Sequence, residues 1–256
     1  MKRIVIIVAA IFVSTSVCAQ YARFVTEGTI EFEKSVNMYA LIRKNINKDN
    51  ESFLQPAFEQ YRKSQPQFKK LKSNLTFSKD RTLFRPLEET ETNAGFFGAS
   101  PMVSQNNIIY TNLTTASSIA QKKVFEETFL VKDSIRKINW KITTEMRDIA
   151  GYQCRRANAI VLDSIYVVAF YAEKIPVSGG PESFTGLPGM ILGLALPHEN
   201  ITWFATKVTD QSVPANALTP PAKGKQMNNK QLHETILSAL KDWGEYAQAA
   251  LKAFLL

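Results

Sequence analysis

Few side chains in this sequence stand in arrangements that do chemistry. Cys154 shares a strand parity with Tyr152 and Arg156, and a neighbouring guanidinium lowers a thiol pKa where the site is exposed. The competing reading is a small packed residue, the common state of a free cysteine. The two histidines, His198 and His233, are too far apart for the i, i+4 pair of a zinc helix, so no metal site is predicted. Ser178-Gly179-Gly180 lacks the G-x-S-x-G elbow, and no glycine-rich run leads into Gly-Lys-Ser/Thr. Neither a hydrolase nucleophile nor a phosphate loop is signalled, and no cofactor is predicted. Glu126 and Glu127 are expected on opposite faces of a strand, which cannot place two carboxylates around one bond.

With side-chain chemistry so sparse, weight falls on the backbone of Pro176 to Leu194, where glycine, proline and bulky apolar residues alternate most densely. Leu187-Pro188-Gly189-Met190 reads as a type II turn with proline and glycine at its central positions. Phe184, Leu187, Pro188, Gly189 and Met190 are therefore candidate contacts for a ligand or partner, or else a buried corner between core strands. A second candidate contact is the pair Phe96 and Phe97, set between Gly95 and Gly98 in an aperiodic stretch from Pro86 to Gln105. Loops of that length cover cores or carry sites.

The elements that position these stretches are mostly strands. Around Phe24 to Met38 the apolar residues Ile30, Phe32 and Val36 fall on even positions and polar ones on odd, a strand with one wet face. Asn50 to Ser64 has helical spacing, with Pro56 expected in its first turn and Pro66 ending it. Leu75 to Phe84 reads as a hairpin about Ser78-Lys79-Asp80-Arg81. Strands are predicted at Ile108 to Asn112, Val124 to Val131, Ile135 to Thr143, Gly151 to Leu162, Ile165 to Tyr171 and Ile201 to Val208. The run Ile165 to Tyr171 is apolar on both parities and needs cover on both faces, from a helix or a folded-over loop. Asn228 and Gln231 form a capping-box pattern ahead of an apolar stripe from Leu232 to Phe254. That terminal helix packs on the sheet or docks on a membrane or partner.

The expected fold is mainly β within the α+β class: a curved antiparallel sheet or open half-barrel with a short internal helix and a C-terminal amphipathic helix. The expected divisions are a signal peptide at 1–19, an antiparallel β domain at 20–212, a Pro/Lys-rich linker at 213–227 and the helix at 228–256. The first segment carries Lys2 and Arg3, then an apolar run from Ile4 to Val13, then Val17-Cys18-Ala19, the order of a secretory leader too short to span a bilayer. Lipidation at Cys18 is the other reading, opposed by the bulk of Val17. Removing 19 of 256 residues leaves 237 and a single cysteine, Cys154, so no internal disulfide is available. The net charge of +8 becomes about +6 without Lys2 and Arg3. Its basic pairs are scattered, which excludes a nucleic-acid groove and leaves an anionic membrane surface or a solvated exterior.

Gly186-Leu187-Pro188-Gly189-Met190-Ile191 resembles the signature hexapeptide of the GLPGLI family of Bacteroidetes envelope proteins, with Met190 in place of leucine. The likeness continues through Phe125 to Asp133, Ile138 to Ile142, Gly151 to Cys154 with Ala157, Ile175-Pro176 and Gly180 to Phe184. Phe170 stands where that family usually has tryptophan. The resemblance implies an exported protein of the periplasm or outer membrane, either binding a small-molecule or peptide ligand or accompanying an outer-membrane transporter. It supplies no catalytic residues. An enzyme site assembled from distant residues and a structural envelope role are the alternatives. Asp133-Ser134-Ile135 and Asp163-Ser164-Ile165 resemble the acceptor triplet for O-glycosylation in such envelopes, which makes Ser134 and Ser164 candidate modification sites at expected turns.

Overall fold

The computed structural model describes residues 23–87, 101–104, 107–244 and 246–256. The expected leader and the Phe96-Phe97 tip lie outside them. The fold is mostly β, 43% strand against 24% helix, built on one open sheet.

The first meander is β1 (Gly28–Asn37), β2 (Phe68–Phe77), β3 (Arg81–Pro86), β4 (Ile108–Asn112), β5 (Ser117–Val124) and β6 (Glu127–Ser134). The second is β7 (Lys141–Ile149), β8 (Tyr152–Val161), β9 (Ile165–Ala172), β10 (Met190–Leu196) and β11 (Ile201–Asp210). Antiparallel pairing of β1 with β11 joins them. A three-residue strand, β12 (Lys225–Met227), adds in parallel to β6, giving the 12-stranded order β12-β6-β5-β4-β3-β2-β1-β11-β10-β9-β8-β7.

That order forces curvature. β6 and β7 stand ten places apart in the sheet, about 48 Å if it were flat. Yet only residues 135–140 connect them, and that much chain reaches about 25 Å. The sheet therefore bends until its two ends face each other, which is the expected open half-barrel. On the opposite face from Lys34 and Trp203, Arg147 of β7 lies over the rings of Phe170 and Phe204, 5.6 and 4.8 Å from their centroids. At Phe170 that face of β9 is covered by a side chain of the sheet's own edge strand, in place of the expected helix or folded-over loop.

The parity of β1 is as expected, with Ile30, Phe32 and Val36 buried. The helices are α1 (Met38–Lys44), α2 (Glu51–Ser64), α3 (Pro101–Ser104), α4 (Asn229–Ala239) and α5 (Tyr246–Leu255). Pro56 sits in the second turn of α2, past the expected first turn. The helix is largely exposed, so the carbonyl that proline leaves without a partner stands on the solvent side. The capping box at Asn228 and Gln231 forms in full.

Four expectations are corrected. Val124 to Val131 is two strands folded about Phe125-Glu126, so Glu126 stands in a turn; Phe125 takes φ 55° there and packs on Trp243 and Phe254. Residues 135–140 form no ladder because they are the crossing between the two ends of the sheet. The segment 213–227 is no simple linker: Leu218 packs with Leu83 and Tyr110 on the outer face of the sheet, and β12 follows. The terminal helix is interrupted after Leu240, where Gly244 takes φ 54°, and resumes as α5.

Candidate functional site

Two lysines stand at positions of the sheet that their strands otherwise give to apolar residues. Lys34 shares its parity with Phe32 and Val36 on β1, and Lys122 shares its parity with Ala120 and Val124 on β5. Alternation alone then points both ammonium groups into the half-barrel. Both are almost fully buried, at 6% and 4% exposure. The Lys34 ammonium donates to the carbonyls of Met102 at 3.0 Å and Val103 at 3.4 Å, and lies over the Trp203 ring. The Lys122 ammonium donates to the Phe254 carbonyl at 3.0 Å.

Between them reaches the connection from β9 to β10, residues 173–189, which carries most of the Gly/Pro-rich stretch. It folds back on itself, Met190 N–H donating to Ile175 and Ile191 N–H to Gly179. Gly179 comes against Thr82 of β3, so the loop crosses the interior. At its inner end Glu182 is buried and takes φ 52°, a left-handed conformation that a side chain adopts at a cost. Its carboxylate accepts from the Asn107 amide at 2.9 Å. Burial raises the Glu182 pKa above the ordinary range, opposed by Lys34, Asn107 and Lys122. Burial and then the nearby Arg136 push the Lys122 ammonium down to about 8, with Glu182 working against them.

Beside this cluster lies a cavity of about 40 Å³ whose lining includes Thr111, Lys122, Asp133, Arg136, Ser183 and Thr185. Arg136, on the 135–140 crossing, donates to Leu255 O, and Ser183 donates to Leu256 O at 2.8 Å. With Lys122 on Phe254 O, three side chains hold three successive main-chain oxygens at the end of α5, groups that a helix terminus leaves without internal partners. The Trp140 indole N–H donates to Thr185 O at 2.8 Å and fixes the loop from the same crossing.

Of the residues expected to make contacts, Phe184, Leu187, Gly189 and Met190 are buried and Pro188 is exposed. Phe184, Leu187 and Met190 form the floor of the loop, held in the main core. The type II turn is corrected: Gly189 does not take positive φ, whereas Gly186 does, at 97°. A Cβ on Gly189 would overlap the Ala172 carbonyl oxygen and stand 2.8 Å from its carbon, so glycine is required there by close approach to β9.

Cys154 is fully buried, with its thiol pushed up to about 12 by burial, which fits the packed reading. Ser164 lies exposed in the turn between β8 and β9. Ser134 is also exposed but ends β6, paired with Ser117, so it stands on a strand and not in the expected turn. Among the described residues no group of His, Cys, Asp and Glu is placed to hold a metal ion, and no helix is long and apolar enough to cross a membrane.

The profile of a family described as a protein of unknown function (Porph_ging) matches residues 161–193, from the end of β8 through the Gly/Pro-rich loop into β10. A search of curated proteins finds no match. Among solved structures, PNGF-II in the P21 space group is similar in fold, with a TM-score of 0.50 and 15% identity, covering 82% of this chain and 33% of that one. PNGF-II in the C2 space group gives 0.49 and 15%, covering 82% and 32%. The chain thus spans about a third of the length of those proteins.

Proposed function

We propose that the chain is an exported, non-catalytic envelope protein of GLPGLI type that binds a ligand inside its half-barrel or accompanies an outer-membrane transporter. The observation that carries this reading is the gathering of Lys34, Lys122 and Glu182 in the interior, beside a cavity. Stripping three charges of water is costly, and folding alone is served as well or better by apolar residues there. Such groups are more readily explained by something they recognise. The family profile ends within this same region, and the Gly186 to Ile191 hexapeptide lies inside the matched segment. The sheet faces and the basic exterior allow contact with a transporter or an anionic membrane surface.

One observation favours catalysis as the second reading. Glu182 combines a left-handed backbone, deep burial and a raised pKa, the combination expected of a general acid.

The test is made on protein recovered from the envelope fraction of cells producing the full chain. Expected results are a mature chain beginning at Gln20, and either a co-purifying ligand in native mass spectrometry or a cross-link to an outer-membrane transporter. A chain found in the cytosol with its first residues intact would overturn the proposal.

A further inference from the structure

Basic side chains gather in the described interior. Lys34 and Lys122 act on one deeply buried side-chain carboxylate, Glu182, whose pKa burial raises, and Arg136 lies near Lys122; the terminal oxygen of Leu256 accepts from Ser183 close by. Asp133 lines the cavity too, but its oxygens are engaged by Asn229 N–H at 2.9 Å and by the Ser134 N–H and hydroxyl. Among the described residues neither Lys122 nor Arg136 forms an ion pair with a carboxylate within 4.0 Å.

Two of the polar atoms here are buried and unpartnered: Arg136 Nη1 and the Thr185 hydroxyl oxygen, on a residue 4% exposed. A buried guanidinium nitrogen and a buried hydroxyl left without partners each cost free energy comparable to a lost hydrogen bond. Both residues line the one cavity, with Lys122 and Ser183 beside them. Donors of this kind converging on a small space are what a bound oxyanion requires, since each of its oxygens accepts and none donates when ionised.

We propose that the cavity bounded by Lys122, Arg136, Ser183 and Thr185 binds one small oxyanion, a phosphate or carboxylate group. At about 40 Å³ it holds a group of that size and excludes a whole nucleotide. The inference rests on the ligand-binding part of the reading above and names the chemistry of the ligand. Arg136 supplies a planar fork suited to two oxygens, Lys122 a point charge, and Thr185 a neutral donor. Bound there, the anion also sits next to the side chains that hold the end of α5, so its arrival tightens that helix.

The indole N–H of Trp140 reports the site, because it donates to the carbonyl of Thr185 itself. The full-length mature protein is titrated at pH 7 and low ionic strength with inorganic phosphate, with acetate, and with sodium chloride at matched ionic strength, following that resonance by NMR. Saturable movement with phosphate, acetate or both is expected, and no such movement with chloride. Which of the two acts distinguishes a phosphate from a carboxylate ligand. The discriminating variant is Thr185→Val, which keeps the backbone carbonyl and the shape. It should weaken oxyanion binding at least fivefold while leaving the melting temperature of the unliganded protein unchanged or higher. Absence of saturation with both oxyanions, an equal response to chloride, or unaltered affinity in Thr185→Val overturns the inference. In those cases a ligand retained in native mass spectrometry would still support the broader binding role.

Discussion

The ammonium of Lys122, near the end of β5, donates to the carbonyl of Phe254 in the last turn of α5 at 3.0 Å. A buried cation thereby serves as a helix C-cap for an element 132 residues away. The arrangement has a pH signature. Lys122 titrates at about 8 when folded and at 10.5 when unfolded, so between those values the unfolded chain binds more protons and stability rises with pH. Its charged form costs the native state on the order of 3 kcal/mol at neutral pH, recovered as pH rises toward 10.5. Urea denaturation between pH 7 and 10.5 should show this rise, and Lys122→Met should abolish it.

Glu182 acts with the opposite slope. Its folded pKa lies above the ordinary 4.5, so the native state binds more protons just above that value, and stability falls as pH climbs through the window. In Glu182→Gln this acid-side slope should vanish, because the amide keeps an acceptor for Asn107 and does not titrate. Parallel melts of the two proteins from pH 4 upward decide it; an unchanged slope would remove Glu182 as its source.

Gly189 and Gly186 should respond differently to the same substitution. Gly189→Ala places its methyl group into the Ala172 carbonyl, for an expected loss of about 3 kcal/mol. Gly186→Ala meets nothing nearer than the Trp140 ring at 3.5 Å, and its φ of 97° costs about 1 kcal/mol. Equal losses in thermal melting would contradict the close-approach argument.

Much of this fold is legible in the sequence where a pattern serves one local purpose. The alternation in β1, the turn at Ser78 to Arg81, the bounds of β4 and the Asn228 capping box each follow from neighbouring residues. Patterns serving a distant partner mislead. Arg136, Ile138 and Trp140 alternate like a strand, yet their alternation aims side chains at α5 and at Thr185. The apolar stripe runs on through Leu240 and Leu251 although the helix between them breaks. Three residues of β12 are too few to show a period at all. The site itself left one trace: Lys34 and Lys122 each interrupt the apolar parity of a strand. Glu182 left none, because its meeting with them depends on a loop crossing the whole interior.

Cys154 should be chemically silent. Its thiol is buried and held at about 12, so the native protein at pH 8 should resist alkylation by iodoacetamide and react only after unfolding. Rapid labelling of the native state, read by mass spectrometry, would refute this.

Loss of the capping box should be modest and local. Asn228→Ala removes the acceptor for Gln231 N–H, present at 2.9 Å, and should cost about 1 kcal/mol. Hydrogen exchange should quicken along α4 and leave β1 to β4 protected.

The pairing order also sets a timetable for assembly. Both meanders join strands that follow one another in the chain, so each is closed over shorter spans, the longest being residues 38–67 between β1 and β2, than the seam between them. The ladder of β1 with β11 is different: Val36 meets Ile201 and Gly28 meets Asp210, residues made at opposite ends of synthesis. A chain delivered from its N-terminus must therefore hold the inner edge of its first half open, with β1 waiting for its partner, until nearly all of the second half has emerged. That seam is the expected slow step, and the interval before it closes is when the unpaired edge of β1 is open to the wrong strand.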